Sequence, residues 1–258
     1  MPLSKNQIKY IHSLELKKNR KVDGVFLAEG PKVVGDLLGH FPCRLLVATR
    51  EWILLHPHME SLAGGLRVEE VSDAELARAS LLKAPQQVLA VFEQPLNLPD
   101  PAAPRHELCL ALDGVQDPGN LGTIIRLADW FGVRHIFCSP GTVDTYSPKV
   151  IQASMGSVVR VMVHQIDLPK LIAELGSVPV CGTFLDGVSI YEQELPRSGL
   201  LIMGNEGNGI SPEVGRLVNV RLCIPAYPAD RADSPDSLNV ALATAIACAE
   251  WRRQGAWR

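Results

Sequence analysis

Leu200-Leu201-Ile202-Met203-Gly204-Asn205-Glu206-Gly207-Asn208-Gly209-Ile210 is an apolar run that breaks into a turn with three glycines in six residues. The run reads as a strand covered on both faces. Glycines at its end permit positive φ and let backbone approach a ligand closely. The spacing is not Gly-x-Gly-x-x-Gly, and no Lys-Ser or Lys-Thr pair follows, so the dinucleotide and P-loop readings both fail. Ser211 and Pro212 then open a helix. A tight strand-to-helix turn is one reading of this stretch. Asn205 and Glu206 set among glycines at a strand end favour the other, a ligand site.

The same alternation extends outward. Strands are expected at 108–112, 135–138, 158–163, 178–183 and 220–224, and helices at 121–131, 148–155, 168–175, 212–217 and 238–252. Apolar strands alternating with helices predict a parallel sheet covered on both faces, with ligands beyond the carboxyl ends of its strands. Two more segments sit at such ends. In Asp113-Gly114-Val115-Gln116-Asp117-Pro118-Gly119-Asn120, Asn120 is placed to cap the next helix, whose free N–H groups would favour an anion. Leu121, Ile124, Ile125 and Ala128 share one face of that helix, and Arg126 lies off it. An exposed arginine is usually plain surface, so Arg126 is singled out only together with its neighbours. In the last segment, Ile224-Pro225 is followed by a loop and by Ser237-Leu238-Asn239. Ser237 reads as an N-cap, whereas Asn239 would be costly to bury unpaired. The final helix is rich in alanine and apolar on nearly every side, so burial all round is expected.

Upstream lies a smaller α/β region. Ser4-x-x-Gln7 and Ser72-x-x-Glu75 are capping boxes, and Pro31 suits the first turn of a helix. Strands are expected at 25–28, 45–49 and 87–92. Pro95, Pro99, Pro101 and Pro104 mark a linker. The organisation is therefore 1–94, a linker at 95–107, and 108–258.

Net charge is −3 over 258 residues, so any nucleic-acid surface must be local. One such stretch exists: six Lys and Arg residues lie between Met1 and Lys21, among them Lys17, Lys18, Arg20 and Lys21, against the single acid Glu15. The six cysteines show no CxxC pair and sit mostly in apolar runs, as reduced core thiols would. His56 and His58 have no ligand partners nearby in sequence, so no metal site is expected. No apolar signal-peptide stretch follows Met1, and no uncharged span suits a bilayer. A cytoplasmic protein is the expectation.

Taken together, the three segments resemble the motifs of the SpoU/TrmH family of RNA 2′-O-methyltransferases, in the SPOUT superfamily. Asn120-Leu121-Gly122-Thr123-Ile124-Ile125-Arg126-Leu127-Ala128 is similar to the first motif and Gly204 to Ile210 to the second. Ile224-Pro225 with Ser237-Leu238-Asn239-Val240 is similar to the third. Tyr146-Ser147-Pro148-Lys149 and Ala153-Ser154-Met155-Gly156 are also typical of the family. Leu16-Lys17-Lys18-Asn19-Arg20 and Phe26-Leu27-Ala28-Glu29-Gly30 resemble the ribosomal-protein-like substrate-binding domain that precedes the catalytic domain in many members. Two departures stand out. Leu127 replaces a hydroxyl residue, and the stretch 226–236, holding Pro228, Asp230, Arg231, Asp233 and Pro235, is longer than usual and lacks a glycine.

The resemblance implies an α/β fold with a parallel sheet and a deep trefoil knot, a homodimer, and S-adenosylmethionine as cofactor. It implies donor contacts from Gly204, Asn205, Ile224, Leu238 and Thr183. The sulfonium is its own electrophile, so no metal is implied. The basic end would hold tRNA or rRNA by its phosphates, through Lys17, Lys18, Arg20 and Lys21. The family assigns activation of the 2′-hydroxyl to the arginine of the first motif, here Arg126. A free guanidinium has a pKa above about 12, so an RNA phosphate held by Arg126 is a second candidate for the proton. Asn120, Glu206, Ser237 and Asn239 would orient arginine, ribose or donor. Two rival readings stand beside this one: a non-catalytic RNA-binding protein on the same fold, and a nucleotide-dependent enzyme acting on small molecules.

Overall fold

The Ser4 capping box forms, with Gln7 N donating to Ser4 Oγ at 3.2 Å and Ser4 N donating to Gln7 Oε1 at 2.9 Å. It opens α1 (Lys5–Ser13). The basic stretch is not one helix, however. Asn19 Nδ2 donates to Ser13 O at 2.8 Å, and Arg20 Nη1 donates to Leu14 O and Glu15 O at 2.6 and 2.7 Å. Side chains thus take the carbonyls that a continuous helix would use. The chain restarts as α2 (Lys17–Asp23), which Gly24 ends at a φ of 64°.

The computed structural model describes residues 3–228 and 237–256. It divides into one unit of residues 1–96 with 144–159, and a second of 97–143 with 160–258. In the first unit, β1 (Val25–Glu29), β2 (Cys43–Thr49), β3 (Glu69–Val71) and β4 (Val88–Glu93) form a sheet in the order β1-β4-β2-β3. Only β2 and β3 pair in parallel. Around the sheet lie α3 (Pro31–Leu37), α4 (Arg50–Leu55), α5 (Met59–Leu62) and α6 (Asp73–Ala79). The sequence reading missed β3, α4 and α5. Each is short, and none carries a full turn of periodic apolar pattern.

Residues 144–159 pack with this first unit, although the sequence reading placed them in the second. The physical reason is aromatic and ionic. The Tyr146 ring lies 5.2 Å from Phe26, which stacks on Phe92 at 5.6 Å. Arg20 Nε donates to Asp144 Oδ2 at 3.2 Å. A Cβ on Gly156 would come within 2.5 Å of Asp36. The helix of this segment is α8 (Pro148–Ser154), capped by Ser147.

In the second unit, β5 (Leu108–Asp113), β6 (His135–Cys138), β7 (Met162–Gln165), β8 (Val180–Ser189), β9 (Gly199–Gly204) and β10 (Val220–Cys223) form one sheet in the order β10-β8-β9-β5-β6-β7. Every pairing is parallel. β5 and β9 are buried along most of their length, as the continuous apolar runs predict. The strand expected at 158–163 begins only at Met162, because Ser157–Val159 forms a 3-10 turn. α7 (Pro118–Trp130), α9 (Leu168–Leu175), α10 (Pro212–Gly215) and α11 (Val240–Ala256) complete the unit. Sheet order reverses between β5 and β9, so the crevice beyond their carboxyl ends is where a ligand belongs.

α11 departs from expectation. Val240, Ala241, Thr244, Ala247, Cys248 and Trp251 are buried, but Leu242 is 60% exposed. Ala249 is exposed too, and Ala245 and Ile246 are half-buried. Alanine is apolar enough to permit burial without requiring it, so composition overstated the buried arc. No described helix is long and apolar enough to cross a membrane.

Candidate active site

Asp117, not Asn120, caps α7: its carboxylate accepts from Asn120 N at 2.8 Å, with Pro118 in the first turn. Asp-Pro ahead of a helix is a start signal, and it was open to reading in the sequence. The correction matters because it releases the Asn120 side chain. Asn120 Nδ2 donates to Glu206 Oε1 at 2.7 Å. Asn239 Nδ2 in turn donates to Asn120 Oδ1 at 2.9 Å. Asn239 Oδ1 accepts from Ala241 N and Leu242 N at 3.0 and 3.3 Å, so this residue caps α11. One side-chain relay thus joins three segments that lie far apart in the chain. Each amide uses its donor and acceptor ends on different partners, so the orientation of both is set.

The turn 204–210 is braced from within. Asn205 and Gly209 exchange backbone bonds at 2.9 Å. Asn205 Oδ1 accepts from Gly207 N and Asn208 N at 2.9 and 3.0 Å, and its Nδ2 donates to Gly114 O at 2.7 Å. Asn205 therefore shapes the turn with its side chain rather than offering it to a ligand. Two residues missed in the sequence complete the brace. Asp113 Oδ2 accepts from Ser211 N at 2.8 Å, and Ser139 Oγ accepts from Gly114 N at 2.9 Å. Asp113 opens a strand-end segment already noted, but nothing local marks its side chain, and Ser139 stands in no local pattern at all.

Beside the turn is a cavity of about 480 Å³, a volume usual for small-molecule sites. It is walled by 183–186 of β8, 203–210, Ile224, Ser237, Leu238, Val240 and Ala243. Thr183, Gly204, Asn205, Glu206, Ile224, Ser237 and Leu238 of the sequence reading thus share one wall system. The expected strand end at Thr183 is surpassed: β8 continues to Ser189 through an irregular stretch that adds Phe184, Leu185 and Asp186 to the wall. Asp186-Gly187 is a turn-type dipeptide, the one local sign of this irregularity.

Arg126 is exposed on α7 and is not among the lining residues. Among the described residues it has no hydrogen-bond or ion-pair partner. Lys17, Lys18 and Lys21 are exposed. Arg20 is not: it is 2% exposed and paired with Asp144. Its guanidinium holds the first unit together, and breaking such a buried pair costs about 3–5 kcal/mol. Leu127 is half-buried on α7, and residues 229–236 of the long loop lie outside the described residues.

The cysteines are free thiols. Burial pushes Cys138, Cys181 and Cys248 up to about 12 and Cys43 up to about 11, so none of these four supplies a thiolate at neutral pH. No group of three or more His, Cys, Asp or Glu residues able to hold a metal occurs among the described residues.

The SpoU rRNA methylase family profile matches residues 107–249, which include all three relay segments. The chain belongs to this family. Residues 5–90 match an MRM3-like substrate-binding domain. A 23S rRNA (guanosine(2553)-2′-O)-methyltransferase of Bacillus subtilis is 32% identical, over 94% of this chain and 95% of its own. A TrmH-family protein from Porphyromonas gingivalis is 43% identical and superposes with a TM-score of 0.87, covering 98% of this chain and 100% of its own. An AdoMet-bound rRNA methyltransferase from Sinorhizobium meliloti is 32% identical with a TM-score of 0.82, over 97% and 95% of the two chains.

Proposed function

We propose that this chain transfers a methyl group from S-adenosylmethionine to a ribose 2′-hydroxyl of ribosomal RNA. The observation that carries the reading is the Asn239–Asn120–Glu206 relay beside a cavity of cofactor size. The family membership and the rRNA methyltransferases among the relatives support ribosomal rather than transfer RNA.

The cavity suits the donor chemically. Met203, Ile210, Ile224, Leu238 and Val240 offer apolar walls for an adenine. Asp186 and Glu206 are the charged residues among the described lining, and no Lys or Arg is among them. A ligand with a sulfonium and an ammonium against one carboxylate fits acidic walls. When bound, S-adenosylmethionine supplies a methyl already activated on sulfur.

The chain's own residues supply position. Glu206 is fixed by Asn120, and Asn120 by Asn239. Ser237, in the lining, offers a hydroxyl to donor or ribose. Arg126 holds an RNA phosphate bidentately and so sets the 2′-oxygen in line, while that phosphate takes the proton the guanidinium cannot. Positioning of this kind contributes about 7–11 kcal/mol to a barrier. Lys17, Lys18 and Lys21 grip the RNA backbone by its phosphates.

Arg126 shares an exposed stripe of α7 with Thr123 and Trp130, the latter 84% exposed. α11, which packs on α7, shows a second stripe of Leu242, Ala245, Ile246 and Ala249. The apolar stripe of α11 and the exposed Trp130 beside Arg126 favour a homodimer. The last helix returns from edge strand β10 to lie against α7 and β9, the return path that a trefoil knot requires. The likeness to a bacterial 23S rRNA methyltransferase supports a cytoplasmic location.

The test uses labelled S-adenosylmethionine and ribosomal RNA. Wild type is expected to place label on a 2′-oxygen, mapped as an alkali-resistant linkage. Arg126→Ala is expected to lose transfer while still binding donor in a calorimetric titration. Transfer at the wild-type rate by this variant would refute the role of Arg126. Failure of the wild type on every RNA would favour RNA binding without catalysis.

A further inference from the structure

We infer that Arg221, outside the cavity and outside every motif, is a positioning residue for the methyl donor. This rests on the methyltransferase reading above. β8 pairs with β10 in two pieces: Val220 with Cys181 and Arg221 with Gly182, then Leu222 with Val188 and Cys223 with Ser189. Residues 183–187 therefore leave the ladder as an excursion against no matching residue on β10. This excursion supplies 183–186 to the cavity wall.

Few hydrogen bonds hold it there. β8 pairs with β9 only as far as Gly182 with Ile202. Beyond that, Thr183 Oγ1 reaches Ile202 O at 3.5 Å and Cys223 Sγ reaches Leu185 O at 3.4 Å, both weak contacts. Leu185 is 79% exposed. A segment with so few bonds opens easily unless something clamps it.

Arg221 is the clamp. Its guanidinium carbon lies 3.5 Å from the centroid of the Phe184 ring. Its Nη2 donates to Asp186 Oδ1 at 2.6 Å. One planar group covers the ring and holds the carboxylate two residues on. An ammonium cannot do both, because it lacks the flat fork. Phe184 is seated from beneath as well, since it packs against the core cluster that contains Ile210 and Val214. Ring and carboxylate, both in the cavity wall, are thus held as a pair.

Calorimetric titration of S-adenosylmethionine and S-adenosylhomocysteine into the full chain tests this. Arg221→Met keeps apolar cover over Phe184 but drops the charge. It is expected to bind both ligands about five- to tenfold more weakly, the sum of a surface cation–π contact and an exposed ion pair. Its kcat at saturating donor should stay within about twofold, so the loss falls on KM for donor. Arg221→Lys should recover only part of the affinity. Asp186→Asn alters an exposed carboxylate without touching the core, and should weaken binding about threefold. Amide exchange at 183–187 in the donor-free protein should speed up in Arg221→Met while the turn 204–210 is unaffected.

Unchanged affinity in Arg221→Met and Asp186→Asn overturns the inference. So does a global loss of folding in Arg221→Met with unchanged affinity in Asp186→Asn, which would make Arg221 a fold residue. A wild type that binds neither ligand overturns the methyltransferase reading and this inference with it, and shows itself before any substitution is made.

Discussion

The turn 204–210 and the excursion 183–187 wall the same cavity but are held in opposite ways. The turn closes largely on itself: Asn205 bonds Gly207, Asn208 and Gly209 within its own few residues, and Gly114, Asp113 and Asn120 anchor it from outside. The excursion has left its ladder and is gripped from another strand by Arg221. A wall closed by local bonds must be written as a local pattern, since each residue serves its near neighbours. A wall closed from outside needs no such pattern, because its support lies some 35 residues away in sequence.

The sharpest way to break this contrast is Gly204→Ala. A Cβ there would lie 2.2 Å from Gly209 C and 2.3 Å from Ile210 N, so the backbone of the turn must move. With the turn locked by its own bonds, overpacking of about 3 kcal/mol is expected, and donor affinity should fall about a hundredfold in calorimetry. Gly187→Ala is the matching change in the excursion. Its Cβ would meet Leu222 C at 2.5 Å and Leu222 O at 2.6 Å. Here Leu185 and Asp186 are exposed and only the Arg221 clamp opposes their movement, so about a tenfold loss is expected. Equal losses in the two variants would mean that the excursion is as rigid as the turn.

The smallest effect is one of pH. The Arg221 guanidinium beside Asp186 holds its carboxyl below the ordinary aspartate value of 3.8. A carboxylate depressed in the folded state contributes stability above its unfolded pKa and loses it as pH falls through the folded one. The clamp is therefore intact at neutral and mildly acid pH and fails only in stronger acid. Donor affinity of the wild type should show this acid loss, measured against Asp186→Asn, which should lack that component. Identical acid profiles would show that the ion pair does not govern the excursion.

Much of the fold could be read from the chain. β6 and α9 fall where periodicity puts them, at His135–Cys138 and Leu168–Leu175. Errors gathered where local signals compete. Asn120 and Asp117 are both good caps, and only the Asp-Pro order separates them. Lys17, Lys18 and Lys21 read as a basic face and are exposed, whereas Arg20 among them is buried against Asp144, 124 residues away. No periodicity distinguishes the four. The alanine-rich helix read as buried all round, yet small side chains fit a half-open face equally well.

The positions of most strands, the glycine turn and the polar residues at strand ends could be read from the sequence alone, because backbone propensity and apolar periodicity act over a few residues. Which of those polar residues meet was decided only by the tertiary structure. Asn120, Glu206 and Asn239 come together because a parallel sheet brings the ends of distant strands to one edge, and a hydrogen bond of 2.7 Å depends on that placement and not on spacing along the chain. The same reason hid the second wall, since the arginine that secures it sits on a neighbouring strand.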